Sequence, residues 1–145
     1  MPGRERQALL AQTRHFECKC ATCLLPVEEA SASDARRVRI RELLKKLEGA
    51  RFPPRVPMEE LEESLRWTRE ENMRMEEARL LLCGSQVLTI YSDLDAAIQW
   101  ARDARRVFEL IEGKESMNLR KVDDADRVHQ MMAAAPRTLR MFSVC

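Results

Sequence analysis

Leu80 to Ile111 reads LLLCGSQVLTIYSDLDAAIQWARDARRVFELI. Ahead of and into this run, Met75, Ala78, Leu82, Ser85 and Leu88 or Thr89 form one helical stripe. After Ser92-Asp93, a second stripe passes through Leu94, Ala97, Ile98, Ala101, Ala104, Phe108 and Ile111. Apolar residues three and four apart lie on one face of a helix, so the run predicts two helices. Ser92-Asp93 supplies the turn and cap between them, and Gly113 the stop. Small residues at Gly84, Ala97, Ala101 and Ala104 alternate with Leu81, Leu88 and Ile98, as closely packed antiparallel helices require. The spacing resembles a tetratricopeptide (TPR) repeat, although the aromatic and terminal proline of that repeat are missing and no second copy is found in phase. A generic hairpin in a small helical bundle fits the same spacing.

Working outward, a last helix over about 116–134 carries Leu119, Val122, Ala125, Val128 and Met132 on one face and stops at Pro136, leaving nine frayed residues. Toward the N-terminus, Met58, Leu61 and Leu65 mark another helical face. Before it, three prolines between Arg51 and Pro57 predict an extended connector and the main boundary. A helix over about 34–48 is predicted by Ile40, Leu43, Leu44 and Leu47, capped by Ser33-Asp34 and closed by Gly49. A short helix within the first 14 residues precedes the cysteines. The expected fold is therefore all-α, with TPR-like hairpins over 33–145 and a cysteine-rich loop, irregular over about 15–27, within 1–32.

Composition agrees with this reading. Seven aromatic residues and four glycines in 145 are poor material for a β-sandwich, and 34% charged with 45% hydrophobic residues suits a helical protein. The 25 basic and 24 acidic side chains leave +1, so no global field draws in nucleic acid or an anionic membrane. Apolar runs such as Leu80 to Cys83 fall far short of a bilayer span of about 20 residues. With no apolar signal core behind Met1, the expected compartment is cytoplasmic or nuclear.

Cys18-Lys19-Cys20-Ala21-Thr22-Cys23 is the one chemically specific motif. The two-residue gap between Cys20 and Cys23 lets a turn aim both sulfurs at one ion, and zinc is the natural guest. Lys19 and Arg14 favour the thiolate form that binding requires. Burial of the three as small hydrophobes is the alternative, disfavoured by Glu17, Lys19 and Thr22 around them. A structural zinc takes four ligands. His15 reads as a linker residue, Cys83 as mid-helix and Cys145 as part of the tail, so the site is expected to be incomplete.

Arg6-Gln7-Ala8-Leu9-Leu10, Phe16-Glu17-Cys18-Lys19-Cys20-Ala21-Thr22-Cys23 and Ser33-Asp34-Ala35-Arg36-Arg37 together resemble the post-SET region of SET-domain proteins of the SMYD type, especially fungal members. The helical remainder resembles the TPR-like C-terminal region of that family. The resemblance implies that Cys18, Cys20 and Cys23 join a fourth cysteine from the SET body around zinc. It also implies that Phe16 packs on the adenine of S-adenosylmethionine; a core phenylalanine beside the metal is the other reading of that residue. The helical part would wall the cleft of a protein-lysine methyltransferase and meet a protein substrate or partner peptide. Nothing here matches the SET body, its Asn-His motif, its catalytic tyrosine or its zinc-completing cysteine. A truncated gene model, an internal start and a degenerate paralogue would each produce that departure.

An independent search for catalytic patterns agrees, and no catalytic residue is nominated. His15 and His129 are far apart, and there is no HExxH, Gly-x-Ser-x-Gly or glycine-rich phosphate loop. Glu59, Glu60, Glu62, Glu63, Glu70 and Glu71 interleave with Arg66, Arg69 and Arg74 and read as a solvated face. Arg36, Arg37, Arg39, Arg41, Lys45 and Lys46 read as an exposed helix face without the aromatics of a nucleic-acid site. The expected function is the zinc-binding, helical C-terminal part of a SET-type methyltransferase, inactive alone. A free-standing TPR-like interaction module is the alternative.

Overall fold

The computed structural model describes residues 3–135, and among them every regular element is an α-helix. The helices are α1 (Gly3–Arg14), α2 (Val27–Gly49), α3 (Met58–Glu70), α4 (Arg74–Ile90), α5 (Leu94–Glu112) and α6 (Met117–Ala134). The predicted stop at Pro136, the frayed tail and Cys145 lie outside the described residues. None of these helices is long and apolar enough to cross a membrane. The chain divides between Arg39 and Ile40, within α2, into two compact units.

In the first unit, α2 begins seven residues before the predicted start at Asp34. Pro26 accepts the first turn's hydrogen bond from the Ala30 N–H (2.8 Å), and Glu28 and Glu29 oppose the positive end of the helix dipole. Ser33-Asp34 is therefore interior to the helix, with Ser33 buried, and does not cap it.

The second unit holds the core. Ile40, Leu43, Leu44 and Leu47 are buried, as their spacing predicts, in one cluster with Leu61, Leu65, Leu80, Leu81, Phe108, Leu119 and Val122. Helix α4 is its centre, packing on α3, α5 and α6, with the α4–α5 contact the most extensive. That position explains its unbroken apolar run: Leu80, Leu81, Leu82, Val87 and Leu88 are all buried because neighbours stand on several sides. Gly84 is buried against Trp100, and a Cβ built at Gly84 would lie 2.4 Å from the indole ring. The bare backbone at Gly84 gives the ring its seat.

The two connections flanking α4 are alike. Glu71-Asn72-Met73 joins α3 to α4, and Tyr91-Ser92-Asp93 joins α4 to α5. In the first, the Met73 N–H reaches the Thr68 carbonyl (2.7 Å) and the Asn72 N–H the Arg69 carbonyl (3.2 Å). In the second, Asp93 reaches Leu88 (3.1 Å) and Ser92 reaches Thr89 (3.0 Å). The middle residues have positive φ, 53° at Asn72 and 60° at Ser92. Both are Schellman closures, in which a left-handed residue lets the chain satisfy the helix's last carbonyls and reverse. They recur twenty residues apart with almost no identity in sequence.

Asp93 caps α5 as predicted, accepting from the Ala96 N–H at 3.1 Å, and Gly113 ends that helix with φ 80°. Between α5 and α6, the Glu112 carboxylate accepts from the Ser116 hydroxyl and from Asn118 Nδ2 (3.0 Å), which holds its pKa below the ordinary value. Arg79 grips Glu48 with two hydrogen bonds, tying α4 to the end of α2. The connector before α3 is irregular, as its prolines require, but it is anchored. Val56 is fully buried, and the Tyr91 hydroxyl donates to its carbonyl at 3.0 Å. The chain's one tyrosine thus has a structural partner.

Candidate metal centre

The cysteine loop follows α1 directly. His15 turns the chain with φ 50°, and Gln7 Nε2 donates to the Cys18 carbonyl at 3.1 Å, joining α1 to the loop. A tight turn then closes as the N–H groups of Cys23 (2.9 Å) and Leu24 (3.1 Å) both point at the Cys20 carbonyl. This turn brings the two ends of the Cys20-x-x-Cys23 gap onto one side. The ligand atoms of Cys18, Cys20 and Cys23 all lie within 4.8 Å of one another, so the group could hold a metal ion.

The electrostatics of the three sulfurs differ. The Cys20 thiol is lowered to about 7, first by the Cys23 backbone N–H and then by hydrogen bonds from the Cys18 and Cys23 side chains. At Cys18 the Cys20 backbone N–H favours the thiolate, but the hydrogen bonds shared with Cys20 and Cys23 outweigh it and leave the thiol raised. One thiolate is thus prepared near neutral pH, and a bound cation would recruit the others by displacing their protons. Cys20 is exposed and its two partners are half-buried, which excludes the reading of three buried small hydrophobes.

The remaining candidates fall away from this point. His15 is exposed and does not join the cysteine group. Cys83 sits on α4, half-buried against the core, with its thiol pushed up to about 11 by desolvation. It is a core residue. No fourth His, Cys, Asp or Glu joins the trio among the described residues. Phe16 is 54% exposed, which rules out a core phenylalanine. Leu9, Leu24 and Val27 in the same unit are exposed as well.

The carboxylate-rich α3 is a solvated face, with Arg66 between Glu63 (3.4 Å) and Glu70 (3.7 Å). Sequence reasoning missed Glu77, which is buried and held by Arg69 (2.7 Å) and Arg74 (3.0 Å), an ion-pair bridge across the α3–α4 turn. It also missed His129. The stripe predicted on α6 put Val128 inward, yet Val128 is 51% exposed and His129 takes the buried position beside Leu119, Val122 and Ala125. Comparison of the chain with protein-family models, with curated proteins and with solved structures gave no match.

Proposed function

We propose that the chain is the C-terminal part of a SET-type protein-lysine methyltransferase: a zinc-binding cysteine loop followed by helices that flank a substrate cleft, without methyl transfer of its own. The observation that carries this reading is the convergence of Cys18, Cys20 and Cys23 immediately ahead of an all-helical segment. Three thiolates suit zinc, and a tetrahedral structural site then needs one further ligand from outside the loop. In the family that ligand is a cysteine of the SET body, and the exposed ring of Phe16 would there lie on the adenine of S-adenosylmethionine.

Zinc titration of the full chain tests the metal half of the proposal. Weak, sub-stoichiometric uptake that is lost in Cys20→Ser is expected. Tight binding of one ion per chain, completed by a ligand from within the chain, would overturn it. The coding sequence upstream of Met1 tests the other half. A SET body with its tyrosine and Asn-His motif is expected there, and its absence favours an interaction module of repeated helices. The duplicated closure around α4 supports that second reading, because stacked repeats reuse one connection.

A further inference from the structure

We propose that the cleft between the 53–57 connector, the end of α4 and one face of α6 binds a small amphipathic carboxylate, a molecule with an apolar body and one anionic head. The inference is independent of the methyltransferase reading. The cleft has a volume of about 850 Å³, the size of a small-molecule site. Its walls are largely apolar, with Pro53, Ile90, Leu94, Val128 and Met132 among them. On α6, Lys121, Ala125, Val128 and Met132 recur at helical spacing and form one continuous side of it.

Two features choose the head group. The charged side chains lining the cleft are Arg55, Lys121 and Asp124, a net of one positive charge, and none of the three makes an ion pair among the described residues. His129 also lines the cleft. Its side chain is 2% exposed and its Nδ1 has no hydrogen-bond partner. Buried polar atoms are normally paired, so an orphan on a cleft wall marks where a ligand atom belongs. Burial keeps this imidazole neutral near pH 7, against the pull of Asp126 one turn earlier, whose Oδ2 accepts from Gln130 at 2.8 Å while its buried Oδ1 has no partner. With its proton on Nδ1, the ring donates to a carboxylate oxygen, the acceptor that the two free cations also favour.

Decanoate and decyltrimethylammonium, used well below their micelle concentrations, are matched probes of opposite charge. Amide and imidazole NMR shifts of the full chain report where each binds. Decanoate is expected to saturate, shifting Thr89, Ile90, Val128, His129 and Met132, and to bind roughly tenfold more tightly than the ammonium probe. Replacing both exposed cations, Arg55→Ser with Lys121→Ser, should weaken decanoate about fivefold with melting unchanged. Val128→Asp should abolish binding while the helical circular dichroism is kept. Equal affinity for the two probes, indifference to the double substitution, shifts confined to Leu9, Phe16 and Leu24, or no binding at millimolar decanoate would each overturn the proposal.

Discussion

At Gly84 a helix interior carries the residue least suited to it, and the Trp100 ring standing where a Cβ would go accounts for this. Alanine there gains about 1 kcal/mol of helix propensity but drives a methyl into the indole, and overpacking costs about 1–3 kcal/mol. Gly84→Ala is therefore expected to lower stability by about 1 kcal/mol in urea unfolding. Adding Trp100→Ala should recover part of that loss relative to Trp100→Ala alone. The cysteines differ as sharply. With its thiol at about 7, Cys20 should react first with iodoacetamide near neutral pH, while Cys83, half-buried and at about 11, reacts far more slowly in the folded chain. Peptide mass mapping over a pH series checks this order, and prior addition of zinc should protect Cys20.

At the scale of the element, the closures around α4 hold residues in the left-handed region, where a side chain costs about 1–2 kcal/mol unless it is Gly or Asn. Asn72 suits its place and Ser92 does not. Ser92→Gly is expected to stabilise the protein by about 0.5–1 kcal/mol, and Asn72→Gly by less, read as urea midpoints. These closures show why some helix ends were legible and others were not. Ser92-Asp93 and Gly113 announced themselves by residue type, but Asn72 does its work through backbone conformation. The start of α2 was hidden because Glu28 to Ala32 has no apolar period, and the helix there begins on Pro26 and two glutamates. The cysteine cluster was readable because its three sulfurs come from six consecutive residues. The α6 cleft was not, because its walls run from Pro53 to Met132 and only packing brings them together.

At the scale of the whole molecule, His129 links stability to pH. Burial lowers its pKa in the folded state from the ordinary 6.5. Above about pH 6.5 the imidazole is neutral in both states and its burial costs no proton. As pH falls through that value the unfolded chain takes up a proton that the folded chain resists, so stability falls until the folded imidazole also titrates. Melting temperatures between pH 7.5 and 5.5 should therefore fall more steeply for the native chain than for His129→Asn; parallel curves would mean the ring titrates alike in both states.

The spacing of the two closures bears on how the molecule tolerates change. Each residue of an α-helix advances about 100° around the axis and 1.5 Å along it, so the seventeen residues of α4 set the angle at which α5 leaves. A single residue inserted between them would swing the departure of α5 by more than a quarter turn and carry Trp100 off Gly84. Lengthening at Arg51-Phe52, the exposed start of the connector ahead of the anchored Val56, makes no such demand. Drift in length is therefore expected to collect in the connector, while α4 acts as a fixed-length gauge block for the helices on either side.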